Sequence, residues 1–212
     1  MCGHYVADFV FILDASTSIY YSHFDQQLEF VVDVVEAFEI GPGLTHIGVE
    51  SFADSAEIHF NLRDYDTAEE ISAAVLAIPQ QHGQTMTNLA LERLRLEMLT
   101  PDLIRENVPQ VAIVITDGGS DYTMLTREQA DLVKAGGTRI IAIGVGDSIN
   151  PEELHAIASS DSDVLYADDY NALDSIRNSL LLVACEGMQL IITCTSFSID
   201  TFELQCSVHT FC

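Results

Sequence analysis

Positive charge is scarce in this chain of 212 residues: 8 Lys and Arg stand against 33 Asp and Glu, a formal net charge of −25. So acidic a surface repels nucleic acid and anionic lipid, favours cations and basic partners, and aids solubility. No apolar run reaches the roughly 20 residues of a membrane-spanning helix, so no membrane insertion is expected. No basic, apolar, small-residue signal segment opens the chain, which begins Met1-Cys2-Gly3-His4 and enters a strand almost at once. The expectation is either a cytosolic protein or a piece cut from a longer secreted chain. Cysteine is missing between Cys2 and Cys185, and the set completed by Cys194, Cys206 and Cys212 contains no Cys-x-x-Cys pair, which argues against zinc. Internal repeats, low-complexity stretches and Asn-x-Ser/Thr acceptors are absent as well.

What is present is 48% apolar residues with 19% charged, enough for one globular domain with a sizeable core. The run Phe9-Val10-Phe11-Ile12-Leu13 ends in Asp14-Ala15-Ser16-Thr17-Ser18. An unbroken apolar run of this length reads as a strand buried on both faces of a parallel sheet. A helical stripe from about Ser22 to Glu39 (Phe24, Leu28, Val31, Val32, Val35, Phe38) stops at Gly41-Pro42-Gly43. Strands over 45–52 and 56–62 are joined by so short a turn that they form a hairpin. Helices follow from a cap at Asp66 or Thr67 to Ile78, and from Leu89 to Leu99. Next come a strand over 111–116, a helix over 126–135, a strand over 139–145, a helix opened by Asn150-Pro151, a strand over 164–167, and a helix from Asp169 to about Ala184.

This order predicts a doubly wound, mostly parallel α/β sheet with one antiparallel edge strand and helices on both faces. Residues 1–186 form the domain. Residues 187–212 fall outside the pattern, as a hairpin, the start of a cysteine-rich neighbour or an unstructured extension. Cys2 precedes the first strand and Cys185 ends the last helix, so the topology can bring them close. A Cys2–Cys185 disulfide would staple the domain in an oxidising, extracellular setting, although the odd count leaves one thiol over.

In an open α/β sheet, ligands sit just beyond the carboxyl ends of the strands. Asp14, Ser16 and Ser18 fall there, and Asp117 ends a second central strand. Thr85 lies in the polar loop 80–88 beside Gly83, where backbone can approach a ligand closely. Together these five residues offer two carboxylates and three hydroxyls. Their charge balances one hard divalent ion, Mg²⁺ above all, and their number can leave its coordination incomplete. By itself the Asp-x-Ser-x-Ser triplet reads more readily as a helix N-cap. The seven histidines are scattered, and only His82 lies near the proposed site.

Three segments taken in order are more specific. Val10 to Ser18, Gly83 to Leu91 and Val111 to Gly119 resemble the signature segments of a von Willebrand factor A domain, and Ile141 to Gly146 resembles a later strand of that family. The likeness covers roughly residues 5–185. It implies a Rossmann-like fold and a metal-ion-dependent adhesion site (MIDAS) on Asp14, Ser16, Ser18, Thr85 and Asp117. In the family the first threonine of the second loop reaches the metal, so Thr85 is the expected ligand and Thr87 the expected helix cap. Also implied is a non-catalytic, secreted matrix or adhesion domain of the collagen and matrilin type. A Mg²⁺ ion (or Mn²⁺ or Ca²⁺) would capture an exposed Glu or Asp of a protein partner such as collagen. An intracellular assembly subunit is the rival within the family, and a metal that merely braces loops is another. A Mg²⁺-dependent phosphoryl-transfer enzyme with Asp14 as nucleophile is the rival outside it. That rival lacks the second carboxylate two residues on, where Ser16 stands, and the chain has neither a Gly-x-Ser-x-Gly elbow nor a phosphate-cradling loop.

Overall fold

A computed structural model describes residues 6–185 together with the strands Ile192–Ser198 and Glu203–Val208. Six strands form one sheet in the order β3-β2-β1-β4-β5-β6: β1 (Asp8–Asp14), β2 (His46–Phe52), β3 (Ala56–Phe60), β4 (Gln110–Thr116), β5 (Arg139–Val145) and β6 (Val164–Ala167). All neighbours are parallel except β2 and β3. This is the doubly wound sheet with one antiparallel edge that the sequence predicts.

Side chains of alternate parity on β1 serve two cores. Phe9, Phe11 and Leu13 pack with α1 (Tyr21–Val35), α2 (Ala68–Leu76) and α6 (Leu173–Cys185). Val10 and Ile12 pack with α3 (Thr87–Arg93), α4 (Thr123–Ala135) and α5 (Pro151–Ile157). Burial on both faces explains why β1 is apolar at every position between its two aspartates. From β1 the chain winds outward through β2 and β3, then returns to lay β4 on the other side of β1. The carboxyl ends of β1 and β4 therefore flank the topological switch point, where open α/β sheets bind ligands.

Several boundaries differ from expectation. Helix α1 ends at Val35 rather than Glu39, because the next residues tighten into i→i+3 bonds (Ala37 N–H to Val34 O, Phe38 N–H to Val35 O), and Phe38 stacks on Phe9 at 4.8 Å. Strand β3 stops at Phe60 and α2 at Leu76, each two residues early, while α4 begins three residues early at Thr123. Thr67 caps α2 by accepting from Glu70 N–H. Asn150 caps α5, with Pro151 in its first turn. Asp169 caps a short 3₁₀ turn (Tyr170–Ala172) that leads into α6. Helix α3 starts at Thr87, not Leu89, and its last turn widens into a π-helix over Leu94–Met98. Thr87 is not a cap as expected: it lies buried inside the first turn, and Met86 holds the cap position without a side-chain bond. The entry to α3 is held instead by tertiary bonds, Met86 N–H reaching Ala53 O at 3.1 Å.

The expected Cys2–Cys185 disulfide lies outside the described residues. Beyond α6, the strands Ile192–Ser198 and Glu203–Val208 pair antiparallel, with Cys194 and Cys206 in register. No described helix is long and apolar enough to cross a membrane.

Candidate metal centre

Asp14 ends β1 fully buried. One carboxylate oxygen accepts Ser16 N–H at 2.9 Å, and the other accepts the Thr116 hydroxyl at 2.7 Å from the end of β4. The Asp14 carbonyl accepts the Gln27 side-chain amide at 3.0 Å. The hydroxyls of Ser16 and Ser18 lie 3.0 Å apart, and Ser18 donates to Asp117 Oδ1 at 2.8 Å. Four of the five expected residues are thus joined in one hydrogen-bonded group across two loops and 99 positions of chain. Among the described residues Thr85 is not bonded to these four: its main chain exchanges bonds with Asp121, four positions past Asp117.

The loop carrying Thr85 is tied down residue by residue. His82 N–H goes to Ala15 O at 2.8 Å, Gly83 N–H to Thr17 Oγ1 at 2.7 Å, Gln84 N–H to Asp54 Oδ1 at 2.9 Å, and Thr85 N–H to Asp121 Oδ2 at 2.7 Å. Gly83 has φ +127°, and a Cβ there would meet the Asp54 carboxyl at 2.6 Å, so only glycine fits. The loop after Asp117 is braced from α5, where buried Glu153 accepts the Ser120 N–H at 2.9 Å and the Ser120 hydroxyl.

The electrostatics follow from this packing. Burial raises the Asp14 pKa to about 6, partly offset by the Ser16 and Thr116 bonds and reinforced by the nearby Asp117 charge. Burial raises that of Asp117 as well, against the Ser18 bond and the neighbouring His23. His23 stacks on Tyr170 at 5.0 Å, and the Tyr170 hydroxyl is buried without a partner among the described residues. Burial, then the charges of Asp117 and Asp14, hold that phenol above its ordinary pKa. Neither Asp14 nor Asp117 forms an ion pair among the described residues. Two carboxylates held close with no Lys or Arg paired to them, and hydroxyl oxygens around them, suit a hard divalent ion. No cluster of three or more His, Cys, Asp or Glu is placed to hold a metal among the described residues.

Thr116, Gln27, Asp54, Asp121 and Tyr170 were not among the expected site residues. Signals existed for two of them: Gln27 interrupts the apolar stripe of α1 between Phe24 and Leu28, and Thr116 is the polar residue next to Asp117 inside the signature segment Val111 to Gly119. The others are placed by long-range contacts that leave no local pattern.

The chain matches the family model for the von Willebrand factor type A domain over residues 8–179. It is 32% identical to the human collagen alpha-1(XX) chain over 186 residues, covering 86% of this chain and 14% of that one. It is 30% identical to mouse matrilin-2 over 196 residues, covering 89% and 20%. The chain thus spans about a fifth or less of these relatives. Among solved structures, proximal thread matrix protein 1 of the mussel byssus, with a zinc-occupied MIDAS motif, superposes with a TM-score of 0.79 at 33% identity, covering 86% of this chain and 46% of that one. The manganese-loaded TRAP protein of Plasmodium vivax, 19% identical, shares the fold with a TM-score of 0.69, covering 85% and 75%.

Proposed function

The chain belongs to the von Willebrand factor type A domain family, and from that premise we propose that it is a non-catalytic binding domain of an extracellular matrix or adhesion protein. Residues 1–186 constitute the binding domain and 187–212 an extension. In this reading Asp14, Ser16, Ser18, Thr85 and Asp117 hold a divalent cation, Mg²⁺ first and Mn²⁺ or Ca²⁺ as substitutes. When bound, the ion supplies an open position for a carboxylate oxygen of a protein partner. The partner presents an exposed Glu or Asp, and collagen or another matrix protein is the candidate. The observation that carries the reading is the convergence of two uncompensated carboxylates with the Ser16 and Ser18 hydroxyls at the switch point. The zinc-occupied MIDAS of the mussel protein and the matrix setting of the collagen and matrilin relatives support it.

Within this arrangement the chain's own groups have separate tasks. Thr116 and the Ser16 amide orient the Asp14 carboxylate, and Gln27 fixes the end of β1. Ser18 aligns Asp117. Because three of the five donors are uncharged, the site carries only enough charge to neutralise one dication. That leaves a bound ion electrophilic toward an outside carboxylate.

The test is calorimetric titration with MgCl₂ and MnCl₂, followed by binding to immobilised collagen and to a matrix extract with Mg²⁺ or with EDTA. The expected result is one divalent ion per chain and partner binding that EDTA abolishes. Absence of metal uptake, with partner binding indifferent to EDTA, overturns the reading.

A further inference from the structure

Five successive amides, His82 to Met86, are each held by a different acceptor. Ala15 and Thr17 belong to the loop after β1, Asp54 and Ala53 to the turn between β2 and β3, and only Asp121 to the loop after β4. Asp121 meets Thr85 twice. Its Oδ2 accepts Thr85 N–H at 2.7 Å, and its own N–H donates to Thr85 O at 3.1 Å. One residue therefore satisfies both main-chain polar groups of Thr85. Among the described residues this exchange is also the single hydrogen-bonded link between the Thr85 loop and the Asp117 loop.

An aspartate just ahead of a helix ordinarily serves as a cap. Here α4 starts at Thr123, its cap position is Tyr122, and no side chain caps it. The Asp121 carboxylate is directed to Thr85 instead, leaving the first turn of α4 without that support.

We propose that Asp121 is a positioning residue of the metal centre: a latch that sets Thr85 at the distance and orientation the ligand set requires before any metal arrives. This rests on the ligand assignment proposed above. Asp121 is not one of the five assigned ligands. It acts through Thr85, as outer groups orient metal ligands elsewhere.

The experiment titrates the intact chain with Mn²⁺ by calorimetry and follows amide hydrogen exchange of residues 83–86 in metal-free protein. The variants are Asp121→Ala, Asp121→Asn, Thr85→Ala and the double Thr85→Ala/Asp121→Ala. Asp121 is exposed, and thermal melts of the variants check that they fold. Asp121→Ala is expected to weaken Mn²⁺ binding by roughly tenfold or more and to speed exchange at Thr85. Asp121→Asn keeps an oxygen acceptor and the N–H, so it should stay within about threefold of wild type, which separates positioning from the simple attraction of a third negative charge. The double variant should bind no more weakly than Thr85→Ala, because both changes remove the same ligand. Wild-type affinity in Asp121→Ala, or additive losses in the double variant, overturns the latch alone. A wild type that takes up no Mn²⁺ overturns the ligand assignment and, with it, the purpose given to the latch.

Discussion

Strand β1 begins and ends with a fully buried aspartate, and the chain treats the two in opposite ways. At the amino end, Asp8 lies against the Arg105 guanidinium, at 2.9 Å from Nε and 2.7 Å from Nη2, and also accepts the Arg105 N–H at 3.0 Å. Arg105 spends its remaining donors on the carbonyls of Ala7 and Leu44. His46 packs beside the pair, and burial with the Arg105 charge lowers its pKa against the opposing pull of Asp8. At the carboxyl end, Asp14 receives a hydroxyl and an amide but no cation, and its neighbour Asp117 has the same sign. A buried carboxylate is tolerated when a cation accompanies it. At Asp8 the chain supplies that cation. At Asp14 it supplies none, which is the physical difference between this structural clamp and the metal centre proposed above.

The largest effect should come from breaking the clamp. Arg105→Met leaves Asp8 charged, buried and unpaired, and should cost about 3–5 kcal/mol in urea denaturation. Adding Asp8→Asn should recover part of that loss. A loss under about 1 kcal/mol would mean that the two ends are not so different after all.

The site end should respond to protons and metal with opposite signs. Its folded-state pKa, raised from 3.8 to about 6, means that folded protein keeps a proton which the unfolded chain releases first. The contribution of Asp14 to metal-free stability should therefore be fully present at and below pH 4, and be lost as pH rises to about 6, by on the order of 2–3 kcal/mol. Divalent metal must displace that proton, so its affinity should weaken about tenfold per pH unit below 6. Asp14→Asn should remove both slopes and lower Mn²⁺ affinity by roughly 100-fold, without destabilising the metal-free fold at pH 7. Melts and titrations between pH 4.5 and 7.5 check each part.

A third buried carboxylate sharpens the contrast. Glu50 on β2 has no hydrogen-bond partner among the described residues, and burial holds its pKa well above the ordinary range, against a nearby Arg93. It has neither a paired cation nor a place at the rim. Glu50→Gln should stabilise the protein at pH 8 by about 1 kcal/mol, have little effect near pH 4.5, and leave metal affinity unchanged. A metal affinity that moved with Glu50 would join this position to the site.

Much of this was legible in the chain. The strands over 139–145 and 164–167 were read to the residue because apolar runs between turn signals define buried strands. The places of Asp14 and Asp117 at strand ends were legible because each follows a buried strand run, and Ser16 and Ser18 stood out as hydroxyls at alternate positions after Asp14. The helix ends were less so. Where α1 stops and where α3 starts depend on Phe38 reaching Phe9 and on Met86 reaching Ala53, contacts with no local signature.

The order of apolar and polar residues was sufficient to specify a layered parallel sheet and to put oxygen-bearing side chains just past its strands, since burial on two faces and period-two alternation are local properties. Only the folded arrangement set β4 beside β1, left Asp14 without a cation while Asp8 received one, and brought Asp121 against Thr85 across 36 positions. Charge compensation and loop bracing depend on which distant segments meet in three dimensions, and no window along the chain contains both partners.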